Sequence, residues 1–192
     1  MRIVAGRHRG RRLHLPRDGQ IRPTSDRARQ ALFDVLVHNP LGPGGTPTLT
    51  NQRVLDAFAG TGALGLEALS RGAAFATFLD RDRGSLAVLE DNIRALGESE
   101  RTQILRADAL SPPRAMEPAT LAFLDPPYGA GLAAPALSAL ANAGWFAEDA
   151  LVIVELAKAD TLAAPPGFLA VDERAYGKTR IVLLRWRSGR SD

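Results

Sequence analysis

The 192-residue chain contains no cysteine, which excludes disulfides and any zinc or iron–sulfur centre held by thiolates. Its histidines and carboxylates form no ligand pattern, so no metal site is expected. No apolar run approaches the ~18 residues that suggest a membrane span. The basic N-terminus lacks the apolar stretch of a secretion signal, and the expected compartment is the cytoplasm. Lysine is nearly missing, supplying two of the 24 basic residues. There is no internal repeat, and no low-complexity tract beyond one Pro/Gly-rich stretch. What is present suits one folded domain with a small appendage: 45% of the residues are apolar, too many for global disorder.

Charge is unevenly placed. Residues 1–29 hold nine arginines against Asp18 and Asp26, a balance of +7, whereas the whole chain stands at +3. The remainder is therefore mildly acidic. A basic arm on an acidic body suits a polyanionic partner, and arginine grips phosphate bidentately and stacks on bases. A solvated, Arg-biased terminus would look the same by charge alone.

Residues 2–5 and 12–15 flank Gly6-Arg7-His8-Arg9-Gly10-Arg11, a pattern that predicts a small β-hairpin with a basic tip. Pro23 biases Arg22 toward extended backbone. Thr24 or Ser25 can cap a helix whose inward face carries Ala28, Ala31, Leu32, Val35 and Leu36. Residues 39–50 read as a surface linker. The expected division is a basic extension over 1–22 and a catalytic domain over 23–192. From Arg53 onward, strands and helices alternate. Strands are predicted at 54–56, 75–79, 102–105, 121–124 and 151–155, with helices at 63–71, 83–96 and 132–143. A hairpin from 169–175 to 179–186 closes the pattern. Such alternation predicts an α/β fold, a doubly wound Rossmann-like parallel sheet covered on both faces.

The first predicted strand runs into Asp56-Ala57-Phe58-Ala59-Gly60-Thr61-Gly62-Ala63-Leu64-Gly65. Gly60 and Gly62 allow a tight turn and close approach to a ligand, while Gly65 lets the helix pack near the strand. Asp80 ends the next strand, where it can accept hydrogen bonds from ribose hydroxyls. The spacing also fits a nicotinamide dinucleotide. Asp56, at the carboxyl end of the strand, would repel a pyrophosphate but suits the sulfonium and ammonium of S-adenosylmethionine. Asp108, after the third strand, is a candidate acceptor for the adenine amine.

Asp125-Pro126-Pro127-Tyr128 follows the apolar strand Leu121–Leu124. Two prolines stiffen the turn and remove backbone donors, leaving nearby carbonyls able to accept. An exocyclic base amine is a poor nucleophile because its lone pair is delocalised into the ring. A carboxylate and a carbonyl accepting both amine hydrogens would draw that pair out and aim it. Tyr128 can stack on an extruded base. The chemistry fits guanine N2 and adenine N6 alike, and a non-catalytic RNA-binding module remains a further reading. His8 and His14 read as surface residues, Trp145 and Trp186 as core. Lys178 lies either within reach of substrate or in solvent.

The glycine loop, the acidic end of the second strand and DPPY resemble, in this order, the class I methyltransferases. More narrowly, RIVAGRHRGRRL (2–13), IRPTSDRARQALFDVL (21–36), GALGLEALSRGA (62–73) and YGKTRIVLLRW (176–186) resemble the 16S rRNA guanine-N2 methyltransferases of the RsmD family. The resemblance covers nearly the whole chain. It implies a seven-stranded sheet with the last strand antiparallel, S-adenosylmethionine as methyl donor, and one guanine of small-subunit rRNA as target. It also implies a monomer acting on a particle that carries ribosomal proteins. By matching positions, Asp56, Gly60, Gly62, Asp80 and Asp108 would contact the cofactor. Asp125, Pro126, Pro127 and Tyr128 would handle the base. Arg7, Arg9, Arg11, Arg12 and Arg22 are the candidates for gripping RNA. The Pro/Gly-rich stretch is long for the family, and Asp80 stands where glutamate is also common.

Overall fold

The apolar runs from Arg53 onward alternate between strand-length and helix-length segments, and the fold follows that rhythm. A computed structural model describes residues 1–16, 26–38 and 49–189. Pro23, the caps expected at Thr24 and Ser25, Arg22 and most of the 39–50 linker lie outside these residues. The strands are β1 Arg53–Ala57, β2 Phe75–Asp80, β3 Thr102–Arg106, β4 Ala119–Leu124, β5 Phe146–Ala157, β6 Phe168–Tyr176 and β7 Thr179–Trp186. The helices are α1 Asp26–His38, α2 Ala63–Ser70, α3 Arg83–Leu96 and α4 Ala133–Asn142.

Among the described residues, seven strands form one sheet in the order β3-β2-β1-β4-β5-β7-β6. β1 pairs in parallel with both β2 and β4, and β4 pairs in parallel with β5. β7 runs antiparallel to β5 and β6. The strand order reverses between β1 and β4, which opens a crevice at the carboxyl ends of those two strands. One core joins α1, α2 and α3 to one face of the sheet, and a second joins α4 to the other. Trp145 belongs to the second core, and its indole N–H donates to the Pro113 carbonyl at 2.8 Å.

Two elements depart from expectation. β5 is longer than the apolar run 151–155 suggests, because a bulge lets it begin at Phe146: Ala119 faces Phe146 and Leu121 faces Leu151. Asp149 takes a positive φ of 62° within that irregular stretch. Among the described side chains of α1, Arg29, Leu32, Phe33 and Leu36 are buried, and those of Ala28 and Ala31 lie outside the described residues. This buried set shares Leu32 and Leu36 with the predicted stripe, but it includes a buried arginine that an apolar pattern cannot find. Val35 packs against this core only partly buried.

The N-terminal hairpin is present. Arg2 and Arg12 form an antiparallel bridge, Ile3 N–H donates to the Arg11 carbonyl at 2.9 Å, and Gly10 N–H returns to Ile3 at 2.9 Å. Ile3 and Leu13 bury themselves in the core beneath α1, α2 and α3. Among the described residues, no helix is long and apolar enough to cross a membrane, and no group of three or more His or acidic side chains could hold a metal.

Candidate active site at the strand ends

The chain leaves β1 through a loop that needs unusual backbone. Phe58, Gly60 and Gly62 take φ values of 62°, 53° and 82°. Glycine adopts this region freely, whereas a phenylalanine there is strained. A Cβ on Gly60 would meet nothing within 4 Å, so the loop is open on that side. A Cβ on Gly65 would lie 2.3 Å from the Phe78 ring, so only glycine lets α2 sit this close to β2.

Three carboxylates stand at the ends of neighbouring strands. Asp80 accepts from Gly60 N–H at 2.8 Å through Oδ2 and from Asp82 N–H at 2.9 Å through Oδ1. It thus ties the end of β2 to the glycine loop. Asp108, just past β3, accepts from Leu110 N–H at 2.9 Å and lies 3.6 Å from the Arg81 guanidinium. Asp56 is different: its side chain turns toward α2, accepts from Gly65 N–H at 2.8 Å and is only 2% exposed. Burial pushes its carboxyl up to about 8, helped by the nearby charge of Asp80 and opposed by the Gly65 hydrogen bond. Asp56 therefore sits beneath the loop rather than in its open mouth.

The DPPY turn leaves β4 directly beside this loop, since Asp56 pairs with Phe123 and Ala57 with Leu124. Asp125 is partly buried, Pro126 buried, and Pro127 and Tyr128 exposed. The Tyr128 hydroxyl donates to Glu155 Oε1 at 2.7 Å and lies 3.3 Å from Thr179 Oγ1. Burial raises the Tyr128 hydroxyl above the ordinary tyrosine range, with Glu155 and Asp125 adding to the effect. On the α4 side of the turn lies a cleft of about 300 Å³, lined by Pro126, Pro127, Gly131, Leu156 and Asp160. Lys178 stands nearby, where its carbonyl accepts from Lys158 N–H at 2.8 Å.

The basic hairpin docks elsewhere. Val4 and Ala5 N–H donate to the two oxygens of Glu67 at 2.8 and 2.9 Å, and Arg7 N–H donates to the Ser70 carbonyl at 2.9 Å. Ser70 ends α2, so the tip lies about one helix length from the glycine loop, roughly 12 Å by helical rise. The tip arginines divide in two. Arg7 pairs with Glu98 at 2.5 Å, and Arg11 donates to the Ala95 carbonyl. Arg9 and Arg12 are exposed and have no side-chain partner among the described residues.

Over residues 1–185 the sequence matches the family model described as "Conserved hypothetical protein 95". It is 38% identical over 156 residues to ribosomal RNA small subunit methyltransferase D of Escherichia coli K12, covering 81% of this chain and 74% of that protein. The Haemophilus influenzae protein of the same name is 35% identical over 181 residues, covering 92% of this chain and 89% of its own. The chain belongs to the RsmD family of methyltransferases.

Solved structures agree with that placement. The RsmD-family chain superposes on yhhF of Escherichia coli with a TM-score of 0.81 at 32% identity, covering 98% of each. The ribosomal protein L11 methylase of Lactobacillus delbrueckii shares only the fold, with a TM-score of 0.64 at 14% identity over 85% of this chain and 81% of that one. The class I methyltransferase fold expected from the resemblance is therefore present, and the nicotinamide-oxidoreductase reading is set aside.

Sequence reasoning missed several polar residues that shape this RsmD-family site. Glu155 sat inside an apolar strand and Thr179 at a hairpin turn, and neither was singled out. Glu67, on α2, is the buried partner of Arg29 on α1, 3.6 Å away. Asn92 donates to the Thr61 carbonyl at 3.1 Å and accepts from His14 N–H at 2.7 Å, joining the glycine loop to the extension. Its only signal was a polar residue three positions after Leu89, on the apolar stripe of α3.

Proposed function

We propose that this chain transfers a methyl group from S-adenosylmethionine to the exocyclic N2 of a guanine in small-subunit ribosomal RNA. The observation that carries the reading is the adjacency of β1 and β4, which brings the DPPY turn beside an open glycine loop. The relatives' names support the RNA class, and the amine-handling turn supports the reacting atom.

The loop fits the methyl donor. Residues 57–65 include no basic side chain that would favour a pyrophosphate, and carboxylates end the three strands around it. Asp80 and Asp108 accept from ribose hydroxyls and an adenine amine; Gly60 lets the backbone approach, whereas Gly62, where a Cβ would lie 2.3 Å from the Leu89 side chain, lets the loop pack against α3. Asp56, held largely protonated by burial, would ionise more readily beside a cationic ligand. S-adenosylmethionine supplies an electrophilic methyl group on a sulfonium.

The chain's residues prepare the nucleophile. Asp125 and the Pro126 carbonyl accept the two amine hydrogens, which pulls the nitrogen lone pair out of conjugation and points it at the methyl. Asp125 then takes the proton as the amine becomes cationic. Pro127 holds the turn rigid. Tyr128 offers its exposed ring to the extruded base, a stack typically worth about 1–3 kcal/mol against the few kcal/mol of base extrusion.

Residues 1–22 serve as a basic extension to a methyltransferase domain spanning 23–192. Arg9 and Arg12 are the exposed cations best placed to hold phosphate. Arg7 and Arg11 also brace the hairpin, and Arg22 completes the set from outside the described residues. The working form is a cytoplasmic monomer acting on a particle that already carries ribosomal proteins.

The test is methyl transfer from labelled S-adenosylmethionine to unmodified small-subunit particles, followed by nucleoside analysis. N2-methylguanosine is the expected product. Methylated adenosine in its place would overturn the choice of base.

A further inference from the structure

The DPPY turn ends in a tyrosine whose hydroxyl is held from outside the turn. Tyr128 reaches across to β5, where Glu155 Oε1 lies 2.7 Å from its hydroxyl, and to the first residue of β7, where Thr179 Oγ1 lies at 3.3 Å. Glu155 is 4% exposed, whereas Tyr128 is 48% exposed. The polar end of the side chain is thus anchored at a buried carboxylate while much of the residue faces solvent.

The direction of each hydrogen bond follows from proton counting. A neutral phenol has one proton, and here it points to Glu155 Oε1. Tyr128 therefore donates to Glu155, and the Thr179 hydroxyl donates into the phenol oxygen. Two partners on two strands therefore fix the phenol oxygen in space. Fixing that atom limits how the ring can swing about the turn. Strand alternation puts Glu155 on the α1–α3 face, with Ile153 and with Ile181, the register partner of Glu155, and Leu156 on the α4 face.

We infer that Glu155, assisted by Thr179, is a positioning residue that holds the Tyr128 ring in place as a stacking platform before the base arrives. The inference rests on the base-methylation reading above, and it adds a specific role for a carboxylate outside the DPPY turn. A preset ring spares the cost of ordering it during base extrusion. The C-terminal hairpin becomes part of the active site through Thr179, two residues beyond the β6–β7 turn glycine, Gly177.

The experiment is a double-mutant cycle with Tyr128→Phe, Glu155→Leu and the pair, alongside Glu155→Gln. Labelled methyl transfer to unmodified small-subunit particles is measured, together with calorimetric binding of S-adenosylmethionine and melting temperature. Tyr128→Phe keeps the ring and removes only the anchored hydroxyl, so it reads the clamp even where Glu155→Leu fails to fold. The expected result is a fall in kcat of roughly 10- to 100-fold for either single variant, the range of a lost buried hydrogen bond. Cofactor affinity should stay unchanged. The double variant should be no slower than the slower single. Glu155→Gln, whose amide oxygen can still accept from the phenol, should recover most of the rate.

Wild-type turnover in Tyr128→Phe would overturn the inference, as would losses that multiply in the double variant. Counting methyl transferred to any base keeps the two readings separable. A different methylated nucleoside made by the wild type refutes the guanine assignment alone, whereas no transfer by the wild type overturns both.

Discussion

Asp56 shows what a single buried acid does to this molecule. Its ordinary value of 3.8 is raised to about 8, chiefly by burial. Between those values the folded protein holds a proton that the unfolded chain has released. Stability therefore falls as pH rises across that window, and the loss is complete above about 8. Asparagine cannot titrate, yet its side-chain oxygen can still accept from Gly65. Urea melts of wild type and Asp56→Asn at several pH values should show the wild type losing ground to the variant from about pH 4 to pH 8. Each pH step of one inside that window is worth at most about 1.4 kcal/mol. A difference that stays flat with pH would contradict the burial described here. The acid itself was legible from its place between an apolar strand and a glycine loop. Its orientation was not, because alternation about a strand reveals a face only once the covering helix is known. The partners of Tyr128 were hidden for a related reason: Glu155 and Thr179 lie 27 and 51 residues away, and local pattern does not register such distances.

At the level of elements, α2 has two tasks that its sequence shows unequally. Its N-terminal end announces itself through Gly60, Gly62 and Gly65. Its other function, docking the N-terminal hairpin, depends on Glu67, whose oxygens take the Val4 and Ala5 amides and the Arg71 guanidinium at 2.8 Å. Arg29 lies fully buried at 3.6 Å on the far side. Removing one member of a buried charged network leaves the others poorly solvated and typically costs about 3–5 kcal/mol. Glu67→Ala should therefore lose about that much stability in denaturant titration, and hydrogen exchange at Val4 and Ala5 should accelerate more than exchange in β4. Unchanged protection at those two amides would show that Glu67 is not what holds the hairpin in place. Most strands and α2–α4 were legible within a few residues, since their apolar periodicity is uninterrupted. β5 was read too short because the polar residues Glu148 and Asp149 interrupt its run, and the bulge that accommodates them depends on its pairing with β4. The face of α1 was read apolar because a pattern has no means to foresee an arginine neutralised by another helix.

For the molecule as a whole, the separation of a basic extension from an acidic body becomes a question of geometry. The hairpin tip and the DPPY turn lie at opposite ends of the sheet's strands, so an RNA touching both must extend along the protein instead of resting on one spot. Arg9 and Arg12 are exposed and have no side-chain partner among the described residues, whereas Arg7 and Arg11 are committed in part to Glu98 and the Ala95 carbonyl. Arg9→Ala with Arg12→Ala should weaken RNA binding and flatten its dependence on salt by roughly 0.7–0.9 log units per lost phosphate contact, with melting temperature unchanged. An unaltered salt slope would remove the hairpin from the RNA interface. The central claim, however, is that the turn after β4 performs the methyl transfer while the loop after β1 holds the donor, and one comparison tests it most directly. Asp125→Ala and wild type are assayed together for calorimetric binding of S-adenosylmethionine and for methyl transfer to unmodified small-subunit particles. Near-equal binding is expected, with transfer reduced on the order of 100-fold or more, the scale of losing one preorganised electrostatic contact to the reacting group. Transfer within a few-fold of wild type at equal binding would contradict it, and the chemistry would have to be sought elsewhere in the crevice.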